Sequence, residues 1–283
     1  LAGQSGRNVR VGIRVNPDVT TDTHPYISTS HRGIKFGIPV DQVLAAGEFI
    51  RHHPRLELTT IAMHLGSQLA DPSPYAEGIS RLLDLLGRLR EAGTAGITAL
   101  DLGGGLGINY GDGDGMDLAE FGAVVREHVG GTGLTIFLEP GRYLVGSAGV
   151  LLATVLYRKH SGGKEFVVTD TGLNDLLRPS LYRAHHEIVE VTAAGRPDEA
   201  VDVVGPVCES GDFLALERTL PGVVAGDRLA ILGAGAYGFA MSSNYNSRPR
   251  AAEILVDGNR FAVARPREEL DGLFRSENQT PLG

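Results

Sequence analysis

The 283-residue sequence is 42% hydrophobic and 21% charged, enough apolar material for one large core or two smaller ones. A formal net charge of −8 and an isoelectric point near 5.6 leave no basic surface to match a phosphate backbone, which argues against a nucleic-acid partner and for a small-molecule substrate. A single cysteine, Cys208, excludes an internal disulfide framework and suits a reducing cytoplasm.

Taken in chain order, the alternating run Val9-Arg-Val-Gly-Ile-Arg-Val15 predicts a strand so early that the chain is expected to begin inside a domain. Asn16-Pro17-Asp18 breaks it. Val40 to His52 reads as a helix, with Val43, Leu44 and Ile50 at helical spacing, and Leu58 to His64 as the next strand. Between Tyr75 and Ala92, Ile79, Leu82, Leu83, Leu86 and Leu89 form one apolar stripe, and Gly93 ends the helix. Ile97 to Leu102 and Thr135 to Glu139 are short apolar runs suited to strands buried on both faces, with a helix expected between them at Leu118 to His128. Leu144 to Tyr157 is the most apolar stretch. It is too short to cross a bilayer, which takes about 20 such residues, and its glycine and β-branched content predicts a buried strand. From there the pattern turns strand-rich: Phe166 to Val168, Val201 to Val204, Arg228 to Leu232 and Glu253 to Val256, separated by Gly, Pro and Asp turns. The expected organisation is a parallel α/β unit over 1–148 and a mainly β domain over 149–283, with a frayed tail from Arg275.

Three motifs follow three of the expected strands: Met63-His64-Leu65-Gly66-Ser67-Gln68, Asp101-Leu-Gly103-Gly104-Gly105-Leu-Gly107, and Glu139-Pro140-Gly141-Arg142. The carboxyl ends of parallel strands are where α/β folds place ligands. A glycine loop there can let backbone amides approach a phosphate, or can simply be a tight turn. It is not a dinucleotide fingerprint, because Ile108 or Tyr110 stands where the last glycine belongs. Metal-binding spacing is absent, and the adjacent pairs His52-His53 and His185-His186 are expected to point apart.

The second half adds Pro206-Val-Cys208-Glu209-Ser210-Gly211-Asp212 and the long polar run from Gly235-Ala-Tyr237-Gly238 to Arg248-Pro-Arg250. With Arg14-Val-Asn-Pro-Asp18, His24-Pro-Tyr-Ile-Ser-Thr29, Lys35-Phe-Gly37 and Arg178-Pro-Ser-Leu-Tyr182, these segments resemble the diaminopimelate decarboxylase family of alanine-racemase-like pyridoxal-phosphate enzymes, from about Val9 to Val263. The resemblance implies a (β/α)8 barrel joined to a β domain. Such a barrel takes about 250 residues and only about 145 precede the β-rich part, so the expectation is the C-terminal half of a barrel followed by a β-sandwich-like or barrel-like domain. The cofactor-linking lysine of the family is expected in the other half; Lys35, Lys159 and Lys164 do not match its motif.

The same resemblance implies roles for individual residues. Glu139 would bind the pyridinium nitrogen of pyridoxal 5'-phosphate, His64 would stack on the ring, and Ser67, Gly104, Gly105, Gly141 and Tyr237 would hold the phosphate, with Arg142 beside them. Arg142, Arg178 and Tyr182 would bind substrate carboxylates, with Tyr237 at the substrate as well; Glu209 would meet the far ammonium, and Cys208 would protonate the product carbon. A homodimer with active sites shared between subunits is also implied. Each residue has a plainer reading. Glu139 could pair with Arg142, His64 could be structural, Arg178 could be a solvated loop arginine, and Cys208 an inert buried thiol. The expected activity is decarboxylation of meso-diaminopimelate to L-lysine. Related ornithine, arginine or carboxynorspermidine decarboxylases, and a non-catalytic fragment or split subunit, are the alternatives.

Overall fold

The computed structural model describes residues 2–19, 35–275 and 277, so the His24–Thr29 motif and most of the tail expected to fray lie outside the described residues. The chain divides into two compact units. The first comprises residues 1–109 and 113–144, the second 110–112 and 145–283.

The first unit runs α1 (Ala2–Ser5), β1 (Val9–Asn16), β2 (Ile38–Pro39), α2 (Val43–His52), β3 (Leu56–Ala62), α3 (Ser73–Glu91), β4 (Ala99–Asp101), α4 (Leu118–Val129) and β5 (Thr135–Phe137), and α5 (Gly141–Val145) closes it. Its five-stranded sheet has the order β2-β1-β3-β4-β5, and every pair is parallel. The two-residue β2 lies on one side of β1, and on the other side β3, β4 and β5 follow in sequence order. The carboxyl ends of β3, β4 and β5 therefore lie side by side along one edge.

α3 follows Pro72 and carries Pro74 in its first turn, where a missing N–H costs nothing. It buries Ile79, Leu82, Leu85, Leu86 and Leu89 against the sheet and stops where Gly93 adopts φ +89°. Leu82 lies at the centre of that stripe, because 100° per residue brings 79, 85, 86 and 89 within about 60° of it, and half-buried Leu83 lies outside it, about 100° away. α4 is capped by Asp117, whose carboxylate accepts from the amides of Ala119 (2.7 Å) and Glu120 (3.3 Å).

The second unit holds β6 (Leu151–Ser161), β7 (Lys164–Thr169), α6 (Arg178–Tyr182), β8 (Ile188–Glu190), β9 (Asp198–Val204), β10 (Phe213–Pro221), β11 (Arg228–Ile231), β12 (Glu253–Asp257), β13 (Arg260–Arg265) and α7 (Leu270–Leu273). Six strands form one sheet, β10-β9-β7-β6-β11-β8, antiparallel except for β7 with β9; β12 and β13 form a separate hairpin. The apolar core of this unit includes Val155, Val167, Leu176, Val203, Leu229 and Ile231. The buried strand expected over Leu144 to Tyr157 is corrected. Leu144 and Val145 end the short helix α5, and β6 begins only at Leu151. Along β6, Ala153 and Val155 are buried while Leu152, Leu156 and Tyr157 are exposed, so the strand has one core face and not two.

No helix among the described residues is long and apolar enough to cross a membrane.

Candidate active site

The first unit gathers three of the sequence motifs at adjacent strand ends. Beyond the strands proper, backbone bonds continue from Met63 N to Asp101 O (2.9 Å), Leu102 N to Phe137 O (3.0 Å) and Glu139 N to Gly103 O (2.8 Å). His64, Gly103–Gly105 and Glu139 are thereby held on neighbouring segments. Glycine is required here by contact and not only by turn geometry. A Cβ on Gly104 would lie 2.0 Å from the carbonyl oxygen of Glu139, and one on Gly105, at φ +98°, would lie 2.2 Å from the carbonyl of Gly66.

The Gly104 amide donates to His64 Nδ1 at 3.1 Å, and the Gly104 carbonyl accepts from the buried Tyr75 hydroxyl at 2.8 Å. Gly104 therefore joins two loops, and its N–H already has an acceptor before any phosphate is considered. Burial lowers the pKa of His64, and Arg14 lowers it further, against the opposing influence of Asp101 and of a backbone bond to Gly66. An imidazole whose Nδ1 accepts an amide and whose charge is disfavoured is a neutral, flat surface at neutral pH. Ser67 Oγ accepts from Arg142 Nη2 at 2.7 Å, across 75 positions of sequence. Arg142 is buried and sits in the first turn after the Glu139-Pro-Gly segment.

The ion pair that was one reading of Glu139 and Arg142 does not form. The Glu139 side chain is exposed and, among the described residues, has no hydrogen bond or ion pair. Gly141 donates its amide to the Glu139 carbonyl, and a Cβ at Gly141 would meet nothing within 4 Å, so open space adjoins this carboxylate.

The other predicted residues belong to the second unit. Cys208 is exposed, against the plain reading of a buried inert thiol. Glu209 is exposed too, its carboxylate accepting the Gly211 amide at 3.3 Å. Their loop hangs on Asp212, a residue that the motif reading assigns no separate role. Its buried carboxylate takes the amides of Leu173 and Val207, each at 2.6 Å. Gly172 and Gly205 crowd it so closely that an added Cβ on either would fall within 2.7 Å of a carboxylate oxygen. Burial pushes the Asp212 carboxyl up from its usual range, while the two amide bonds pull the other way.

Arg178 is buried at the start of α6, against the reading of a solvated loop arginine, and Tyr182 ends the same helix half-buried. Tyr237 is exposed and has φ +65°, a conformation disfavoured for an aromatic residue. It is held there by close backbone packing, with Gly235 N bonded to Gly146 O (3.0 Å) and Ala234 N to Gly149 O (2.8 Å). The histidine pairs do diverge. His52 bonds the Glu48 carbonyl and His53 the Arg55 amide, whereas His185 faces Glu187 and Arg218 and His186 faces Arg178.

The donor set in the first unit fits pyridoxal phosphate. An open carboxylate suits a protonated ring nitrogen, a neutral imidazole suits a flat aromatic face, and a serine beside an arginine suits a phosphate. A parallel α/β unit with these groups at its strand ends, followed by a β unit, is the arrangement of a pyridoxal-phosphate-dependent decarboxylase. Residues 3–146 match the family described as pyridoxal-dependent decarboxylase, pyridoxal binding domain.

Over 275 residues the chain is 45% identical to diaminopimelate decarboxylase of Aquifex aeolicus, covering 96% of this chain and 64% of that protein. It is 44% identical to the Pseudomonas aeruginosa enzyme of the same name, covering 99% and 67%. The crystal structure of diaminopimelate decarboxylase from Helicobacter pylori complexed with L-lysine superposes with a TM-score of 0.92 at 38% identity, covering 97% of this chain and 68% of that one. The chain thus spans about two thirds of the length of these relatives, and it belongs to the diaminopimelate decarboxylase family.

Proposed function

We propose that the protein carrying this chain removes carbon dioxide from meso-diaminopimelate to give L-lysine, with its first unit holding pyridoxal 5'-phosphate. The observation that carries this reading is the convergence of His64, Gly103–Gly105 and Glu139 at adjacent strand ends in a chain with the identities given above. In this reading the first unit is the C-terminal half of a (β/α)8 barrel, and the parallel succession of β1, β3, β4 and β5 supports that. Bound there, pyridoxal phosphate supplies the electron sink for the pair released when the carboxylate departs.

The residues do the rest. Glu139 keeps a proton on the ring nitrogen, and His64 offers its neutral face to the ring. Ser67, Gly105, Gly141 and Tyr237 cradle the phosphate; Gly104 contributes by letting the loops approach, since its amide bonds His64. Arg142 steadies Ser67, and with Arg178 and Tyr182 it receives substrate carboxylates. Glu209 meets the ammonium of the distal amino-acid centre, beside Tyr237. Cys208 delivers a proton to the carbon that has lost carbon dioxide, a task its exposure permits. The cofactor-linking lysine is none of Lys35, Lys159 and Lys164; Lys164 is paired with Asp202 at 3.0 Å. A homodimer with shared sites in a reducing cytoplasm completes the proposal.

The test is release of carbon dioxide from meso-diaminopimelate, ornithine and arginine by the purified protein with pyridoxal phosphate. Turnover of diaminopimelate at least about 100-fold above the others, about 2.7 kcal/mol, supports the reading. Preference for ornithine would replace it with the related decarboxylase, and no turnover of any of the three would end it. Mixing Cys208→Ala with Arg142→Ala protein tests the shared sites: partial recovery of activity supports them, and none counts against them.

A further inference from the structure

Tyr110, His186 and Leu232 come from three distant parts of the sequence and meet around Arg178 in the second unit, to which residues 110–112 belong. Arg178 Nη1 lies 2.7 Å from His186 Nε2. A guanidinium can only donate, so Nε2 must present its lone pair. The other ring nitrogen, Nδ1, lies 2.8 Å from the Leu232 carbonyl, which can only accept, so Nδ1 must carry the proton. The two contacts leave one state for this fully buried ring: neutral, with the hydrogen on Nδ1.

The second support is aromatic. The Arg178 guanidinium carbon stands 4.5 Å from the centre of the Tyr110 ring, and the His186 ring meets the same tyrosine edge-on, with centroids 4.9 Å apart and planes at 68°. Backbone bonds lock the three segments together, Glu187 N to Tyr110 O at 2.9 Å and Leu232 N to Glu187 O at 2.8 Å. Gly233, at φ +70°, closes against the tyrosine so tightly that a Cβ there would lie 2.8 Å from its ring. Neither the imidazole nor the phenol ring brings negative charge. They set the plane and direction of the guanidinium without acting as its counter-ion.

We propose that His186 and Tyr110 are positioning residues that preorganise Arg178 for a planar, two-point grip on a substrate carboxylate; the carboxylate role of Arg178 rests on the function proposed above. A fork held in its bound orientation loses little rotamer freedom on binding, and that saving is specific to the liganded state. His186 and Tyr110 therefore act on substrate affinity and leave the bond-breaking step alone.

The test uses the protein carrying this chain with pyridoxal phosphate bound. His186→Leu removes the acceptor facing Arg178, and KM for diaminopimelate is expected to rise on the order of 10-fold with kcat within about twofold. His186→Gln places a carbonyl oxygen near the former Nε2, and KM should return to within about threefold of the wild type. Tyr110→Phe keeps the aromatic face and should stay near the wild type, whereas Tyr110→Leu should raise KM. Cofactor absorbance confirms that each variant is folded and loaded. If His186→Leu does not fold, the Gln and Tyr110 variants decide. An unchanged KM in both Leu variants, or a fall confined to kcat, overturns the proposal.

Nitrogen-15 histidine spectra of the wild type supply a readout free of activity. One buried ring protonated on Nδ1, whose Nε2 signal shifts in Arg178→Met, supports the positioning even if diaminopimelate is not turned over. A ring protonated on Nε2 contradicts it even if diaminopimelate is the substrate.

Discussion

The two units build their candidate groups in opposite ways. In the first, backbone does the positioning: glycines let three strand ends approach within contact distance, and the side chains that matter stand within a few residues of those glycines. In the second, side chains do it. Asp212 hangs the Cys208 loop from the amides of Leu173 and Val207, and His186 and Tyr110 hold Arg178. The backbone at Gly104 and Gly105 leaves no room for an added atom, whereas a side-chain cage degrades by degrees. Substitutions in the first unit should accordingly be close to all-or-none, and those in the second graded.

Gly105→Ala offers the largest expected effect. It combines a positive φ with a Cβ driven to 2.2 Å from the Gly66 carbonyl, and should cost about 3 kcal/mol in denaturant unfolding together with cofactor binding. A loss under about 1 kcal/mol would mean that the loop relaxes and the contrast between units is overstated. Glu139→Gln sharpens the comparison from the other side. The exposed carboxylate has no protein partner among the described residues, so stability should move by less than about 0.5 kcal/mol while kcat falls on the order of 100-fold. Asp212→Asn is the second unit's counterpart. It keeps the buried shape but weakens two charge-assisted amide bonds, and about 1–2 kcal/mol of stability should go, with activity reduced only partly.

The smallest effect concerns pH. The His64 pKa is lowered on folding from an ordinary value of about 6.5, so below that pH the unfolded chain binds more protons than the folded one. Stability should decline as pH falls through about 6.5, down to the lowered folded value, and be unaffected by this group above it. His64→Asn should flatten that part of the pH–stability curve; an unchanged slope would show that His64 is not its source.

The contrast also explains what the sequence could reveal. Helix periods were legible in the first unit because a helix there buries one face, as the Leu82 to Leu89 stripe shows, and its strands because they are short apolar runs bounded by turn residues. The strand-end motifs were legible because glycine marks close backbone approach within a few residues. His186 and Tyr110 left no such mark. His186 reads as half of an ordinary histidine pair, and Tyr110 sits in a glycine-rich loop of which residues 110–112 belong to the second unit. The cage around Arg178 needs Leu232, 46 positions from His186, and Tyr110, 76 positions from His186, and local pattern cannot carry that. The expectation of a buried strand over Leu144 to Tyr157 fails for a related reason: composition counts apolar residues without saying which face they occupy, and Leu152, Leu156 and Tyr157 are exposed.

The most direct measurement is a crystal structure of the protein carrying this chain, grown with pyridoxal phosphate. The account predicts the ring nitrogen at the Glu139 carboxylate, the ring face against His64, and the phosphate beside Ser67 and Gly105. Density for the cofactor on any other surface, with Glu139 and His64 left open to solvent, would contradict it.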